Sequence, residues 1–328
     1  MKMFLKVLAP ILISVIATGC MNANFKLMTD SRDPMLERTL SGTGDDKVLM
    51  ISVTGIISDV PEFSFLFTKA SMLEEFVSQL DLAAADPNVK AVVIKINSPG
   101  GSVTASDIIY NEILKFKEKS KAKVVAVMMD LAASGGYYIA LPADEIVAHP
   151  TSLTGSVGVI FMRPELSGLM DKIGVGFEVN KSGRNKDMGS PFRKPTQEEE
   201  ALFNKLISGL SERFSSLVLK HRKISSENMK EIMTARVFIA PDAQKLGMID
   251  KTAYLDDAVK DAKTLAGIPE DSKVVAYRRS FYPNDNLYNG TTAKSESALS
   301  LINMGPFEQF KNMNPGLYYL WLPAAGQQ

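Results

Sequence analysis

From Lys47 onward, short apolar runs rich in β-branched residues alternate with segments of helical period. Residues 48–53, 91–96 and 124–129 are continuous apolar runs of buried-strand length. Ser71-Met72-Leu73-Glu74 is a capping box opening a helix that runs to about Ala85, where Asp86-Pro87 stops it. Residues 106–119 carry Ile108, Ile109, Ile113, Leu114 and Phe116 on one helical face. Thr196-Gln197-Glu198-Glu199 is a second capping box. It opens the longest helix, with a stripe of Leu202, Phe203, Leu206, Ile207, Leu210, Phe214, Leu217 and Val218 reaching about Lys220. Strands alternating with helices of this length predict an α/β domain with parallel pairing. No internal repeat is visible.

The ends of the chain have a different texture. Residues 1–6 are short and basic, residues 7–18 are apolar but too short for a membrane-spanning helix, and Ala17-Thr18-Gly19 precede Cys20, the only cysteine. This is the layout of a secretory signal, and a cysteine at its end has the look of a bacterial lipoprotein cleavage site. The alternatives are a plain signal peptide or an uncleaved anchor. The expected organisation is a signal peptide at 1–19, a polar tether at 20–46, a catalytic domain at 47–268 and a C-terminal extension at 269–328. Within the extension, Gly316-Leu317-Tyr318-Tyr319-Leu320-Trp321-Leu322-Pro323 is too apolar to be solvated and is expected to pack on the domain or on a neighbouring subunit.

Composition narrows the function by exclusion. Thirty-seven basic residues balance thirty-seven acidic ones, so no basic face for nucleic acid is expected. Two histidines and one cysteine provide no zinc spacing, and no nucleotide-binding glycine motif occurs, so neither metal nor cofactor is expected.

Three glycine-containing segments carry candidate chemistry. Asn97-Ser98-Pro99-Gly100-Gly101-Ser102 follows a strand and precedes a helix, a junction where backbone N–H groups can face an anion. Ser134 lies in Ala132-Ala133-Ser134-Gly135-Gly136 between a strand and a short helical segment. It is either a nucleophile on a sharp turn or an ordinary helix N-cap. The hydroxyls of Thr151-Ser152-Leu153-Thr154-Gly155-Ser156 could orient a lysine amine. His149 and His221 lack partners in sequence, so the base for a serine must be sought elsewhere. A lysine could serve, and Lys181-Ser182-Gly183-Arg184-Asn185-Lys186-Asp187 is a lysine-bearing segment about fifty residues after Ser134; Ser-Lys pairs are a known variant of serine hydrolysis.

Together these motifs, in this order over roughly residues 47–266, resemble the bacterial signal peptide peptidase A family in its short single-unit form. The resemblance implies that Ser134 is the nucleophile, that Lys186 is the base with Lys181 as its rival, that Gly101 and Gly135 supply the oxyanion donors, and that Ser156 supports the lysine. It further implies a Clp-protease/crotonase-like fold of stacked strand-strand-helix units and a ring-shaped homo-oligomer with active sites near subunit interfaces. The expected function is a membrane-associated serine endopeptidase that degrades signal-peptide remnants or unfolded membrane peptides. It would be held by lipid or by its N-terminus on the outer side of a bacterial membrane. A crotonase-like acyl-CoA enzyme and an inactive lipoprotein scaffold are the rival readings. Paired carboxylates for hydration are absent, and an exported chain is removed from cytosolic CoA.

Overall fold

The computed structural model describes residues 33–63, 68–279, 282, 284–289 and 315–323. Cys20 lies outside them. In chain order the strands are β1 (Leu36–Ser41), β2 (Lys47–Thr54), β3 (Glu62–Phe63), β4 (Thr68–Lys69), β5 (Val89–Ser98), β6 (Gly100–Ser102), β7 (Lys123–Ala133), β8 (Glu145–Ala148), β9 (Leu153–Gly155), β10 (Ile160–Met162), β11 (Val237–Ile239), β12 (Lys251–Thr252), β13 (Lys273–Arg278) and β14 (Gly316–Leu320). The helices are α1 (Met72–Ala85), α2 (Val103–Ser120), α3 (Gly135–Ala140), α4 (Ser167–Ile173), α5 (Gln197–His221), α6 (Ser226–Ile232), α7 (Ala240–Lys245) and α8 (Leu255–Ala266).

The apolar runs form the centre of a sheet ordered β1-β13-β2-β5-β7-β8-β12, parallel from β13 to β12, with β1 antiparallel at its edge. These strands read as continuous apolar runs because both of their faces are covered. Leu49, Ile51, Val92, Ile94, Val124 and Ala126 share a buried cluster with Phe76 and Leu80 of α1 and Ile109, Ile113 and Phe116 of α2. The alternate residues Val48, Met50, Ala91, Val93, Val125 and Val127 join Leu255, Ala258, Val259 and Ala262 of α8 on the other face.

Both capping boxes form as expected. Ser71 and Glu74 cap α1 reciprocally, and Thr196 and Glu199 do the same for α5. At the flanks the sheet runs past the expected domain limits. The stretch expected to be a tether contributes β1 and the stretch expected to be an extension contributes β13, while β14 of that extension joins a separate three-stranded sheet. The stripe on α5 is only partly covered: Phe203, Phe214 and Val218 are buried, while Leu206 is exposed, as is Leu219 beside the stripe. Nearby, Leu169, Ile173, Val175 and Phe177 are also exposed.

Candidate active site

Parallel strands deliver their chemistry at their C-terminal ends, and here β5 and β7 do so side by side. Their register shifts between Ile96 and Ser98, and the Asn97 side-chain carbonyl accepts the N–H of Leu131 at 3.2 Å across that irregularity. Beyond it, β7 continues to Ala133 and turns at Ser134 into α3.

Ser134 has φ +52° and ψ −113°, a conformation that a side chain makes costly. Its N–H donates to Gly155 O at 2.7 Å and its carbonyl accepts from Tyr138 N at 2.9 Å, so the backbone is clamped on both sides. The side chain is buried, yet its Oγ has no hydrogen-bond partner and makes no helix-capping bond. Ser134 therefore occupies the N-cap position without doing the N-cap's work. A buried hydroxyl left without a partner is costly and is characteristic of a site built for something else.

The glycines around it interlock. A Cβ on Gly100 would lie 2.6 Å from Gly135 N, and one on Gly135 would lie 2.6 Å from Ser106 Oγ and 3.1 Å from Gly100 Cα. A Cβ on Gly101 would overlap the Ile57 carbonyl. The Pro-Gly-Gly turn and the Ser-Gly-Gly turn thus touch through bare backbone, which only glycine permits. Tyr137 and Tyr138 anchor the far side of α3, donating from their hydroxyls to Met248 O at 2.9 Å and to Asp107 Oδ1 at 2.5 Å.

The other hydroxyls near the site are structurally engaged. Ser98 Oγ donates to Gly55 O at 2.6 Å and accepts from Gly100 N at 3.1 Å, bracing the turn. Ser102 caps α2. Ser152 Oγ bonds the Met128 and Met129 carbonyls, and Thr154 Oγ1 donates to Ala132 O at 2.7 Å. The expectation that hydroxyls of this third segment orient an amine therefore narrows to Ser156. Pairing of Ala133 with Gly155 brings Ser156, itself at φ +52°, beside Ser134.

Within the single chain the amines do not reach Ser134. Lys186 is exposed and lies outside hydrogen-bonding distance of the unpartnered Ser134 Oγ. Lys181 Nζ donates to Asp187 Oδ1 at 2.6 Å and to Arg184 O at 2.9 Å. Asp187 is gripped in turn by Arg193, and these bonds hold its carboxyl well below the usual carboxylate range. Arg193 also bonds the buried Glu199, whose pKa it pulls down to about 2. Neither histidine substitutes as a base: His221 Nε2 contacts Tyr110 Oη at 2.8 Å, and His149 contacts Thr151.

One neighbour of the site has no motif to announce it. Strand β14 lies between β6 and β10, antiparallel to both, with Tyr319 opposite Gly101. Its apolar composition signals burial but not location.

A parallel sheet whose strand ends bear a glycine-framed, buried serine is of the Clp-protease-like α/β class, and residues 67–153 match the family described as Clp protease. Residues 116–269 match the family described as Peptidase family S49. The chain is 32% identical over 253 residues to "Putative signal peptide peptidase SppA" of Enterococcus faecium, covering 77% of this chain and 73% of that protein. It is also 32% identical over 215 residues to "Protease 4" of Haemophilus influenzae, covering 65% of this chain and 34% of that longer protein. Among solved structures, a ClpP1 mutant of Listeria monocytogenes aligns with a TM-score of 0.42 and 20% identity, covering 64% of this chain and 94% of that one. The chain belongs to the signal peptide peptidase A family, peptidase family S49, and is a serine protease of that type.

Proposed function

We propose that this protein is an endopeptidase in which Ser134 and Lys186 form a dyad completed between subunits. The observation that carries the reading is the buried, unpartnered Oγ of Ser134 on a positive-φ turn between glycines. Ser134 Oγ attacks the peptide carbonyl while neutral Lys186 Nζ takes its proton. The N–H groups of Gly101 and Gly135 receive the oxyanion, where preorganised donors in a dry site are most effective. Lysine returns the proton to the departing amine, and a water molecule releases the acyl group by the same route. A free lysine titrates near 10.4, and burial can lower that by up to about 3–5 units. Exposed in one chain, Lys186 is suited to this role only once a second chain encloses it. The exposed apolar side chains of α4, α5 and the intervening segment favour such an assembly. In this reading the protein is held by lipid on Cys20, faces away from the cytoplasm and acts on peptides left in or near the membrane. Among the described residues no helix is long and apolar enough to cross a membrane.

Mixing tests the shared site. Ser134→Ala and Lys186→Ala are each expected to be inactive alone and to recover a fraction of wild-type cleavage when co-assembled. Lack of recovery in verified mixed oligomers would refute completion between subunits. Lys186→Arg is expected to be as inactive as Lys186→Ala, since arginine keeps its proton. Loss of activity in Lys181→Ala with retention in Lys186→Ala would move the base to Lys181.

A further inference from the structure

Asp187 directly follows Lys186 in the chain. An anion beside an amine favours the charged form of the amine and so weakens it as a base. Asp187, however, is taken up by other partners. Its Oδ1 accepts from Lys181 Nζ at 2.6 Å and from Arg193 Nη2 at 2.8 Å, and its Oδ2 accepts from Arg193 Nε at 2.8 Å. Two cations thus cover this carboxylate, while Lys186 is exposed and joins none of the ion pairs among the described residues.

The same division of charge extends around the turn. Lys186 N donates to Gly183 O and Ser190 N donates to Asp187 O, each at 3.0 Å, so the backbone is wound on both sides of the amine. The three glutamates in the first turn of α5 are each engaged by a guanidinium: Glu198 by Arg184 at 2.7 Å, Glu199 by Arg193 at 2.8 Å and Glu200 by Arg163 at 3.1 Å. A second bond, from Lys181 Nζ to Arg184 O at 2.9 Å, fixes that ammonium on the turn. The other charges near the segment are Lys194, Lys205, which lines a groove with Met188, and Glu178, next to Phe177, whose ring packs on Phe192. All three are exposed and screened by solvent.

We propose that Lys181 is a positioning residue for the base, acting through Asp187: by holding and neutralising that carboxylate it denies Lys186 a counter-ion, and Lys186 can shed its proton. This rests on the assignment of Lys186 as the base. Arg193 alone does not balance Asp187, because it is shared with the buried Glu199. Two carboxylates face one guanidinium, and Lys181 supplies the second positive charge. Without Lys181 the cluster carries one net negative charge next to Lys186. Without the Asp187 carboxylate it carries one net positive charge. The two changes therefore move the base in opposite directions, which a purely structural tie does not do.

The test follows kcat/KM of the assembled, full-length protein on a fluorogenic peptide as pH is raised. Cleavage that needs neutral Lys186 rises with pH through its ionisation. Lys181→Met is expected to move that midpoint up by about 0.5–1 pH unit, the size expected for one partly solvated charge. The rate below the midpoint then falls about 3–10-fold, and the high-pH plateau stays in place. Lys181→Arg keeps the charge and is expected to keep the wild-type midpoint. Asp187→Asn is expected to move the midpoint down, and the double variant Lys181→Met/Asp187→Asn to return it toward the wild-type value. An unmoved midpoint in Lys181→Met, shifts of one sign in Lys181→Met and Asp187→Asn, or a loss in Lys181→Met that high pH does not restore would overturn the proposal. Should Asp187→Asn fail to fold, the contrast between Lys181→Met and Lys181→Arg decides alone. Lys186→Met reports on the underlying assignment: activity retained there means that another group is the base, whatever Lys181 does.

Discussion

At φ +52° and ψ −113°, Ser134 holds a backbone shape that nearly all side chains avoid. Ser134→Ala removes the hydroxyl and keeps the Cβ that makes the turn costly; Ser134→Gly removes both. Both variants are expected to be inactive, with the glycine variant more stable than the alanine variant by about 1–2 kcal/mol in urea unfolding. A glycine variant of equal or lower stability would show that the turn is unstrained. Lys95 makes a different residue-scale prediction. It is buried in the sheet, and its Nζ donates to Leu287 O at 2.7 Å and Asn289 O at 3.1 Å; burial first and then the charge of Arg278 bring its pKa down to about 8. The unfolded chain, titrating near 10.4, binds the proton more tightly over pH 8–10. Stability is therefore expected to rise with pH across that window. Lys95→Met should abolish the rise in a pH series of unfolding midpoints. A rise that persists in Lys95→Met would mean that another group carries it. At this scale Ser134 and its glycines are legible in the sequence because each motif sits at a strand end. The bracing roles of Ser98, Ser152 and Thr154 are not, since a hydroxyl's partner is a matter of tertiary distance.

Arg193 ties the segment between α4 and α5 to the first turn of α5. Arg193 bridges Asp187, which also holds Lys181, to Glu199 in the first turn of α5. Arg193→Met is expected to leave the buried Glu199 carboxylate without its charged partner and to raise amide exchange across residues 181–195. Unchanged exchange there would mean that the segment is held by other contacts. Acid should act at the same fastening. Glu199 is depressed to about 2, so its stabilisation is complete above the unfolded value near 4.3 and is lost as pH falls toward 2. Equal protection of the segment at pH 6 and pH 2 would contradict this. Elements whose ends carry local signals are well marked in the sequence: the boxes at Ser71 and Thr196 start α1 and α5 as expected. The stripe on α5 has the pattern of a core face although Leu206 is uncovered, because periodicity reports an apolar face and not what covers it.

For the whole molecule, alternation of strand and helix is enough to place the parallel sheet and its two covering layers. The long-range pairings are not accessible that way. Strands β1, β13 and β14 join partners far along the chain, and β14 pairs with the strand that carries Gly100 and Gly101. Anchoring is also a whole-molecule property. Cys20→Ser is expected to give soluble or unprocessed protein whose purified domain cleaves peptides normally, and an unmodified Cys20 thiol in cells would count against lipidation. One acyl chain binds a membrane only marginally, so more than one is required. The direction of β1 gives such an anchor a geometric meaning. Because β1 runs antiparallel to β13, Leu36 lies opposite Arg278, at the same border of the sheet where β5 and β7 end. Whatever grips the chain ahead of Met35 tugs on the border that carries Ser134 and not on the opposite one. The fifteen residues from 21 to 35 could extend to about 50 Å at most. A leash attached there would keep the border that carries Ser134 within about that distance of the lipid surface.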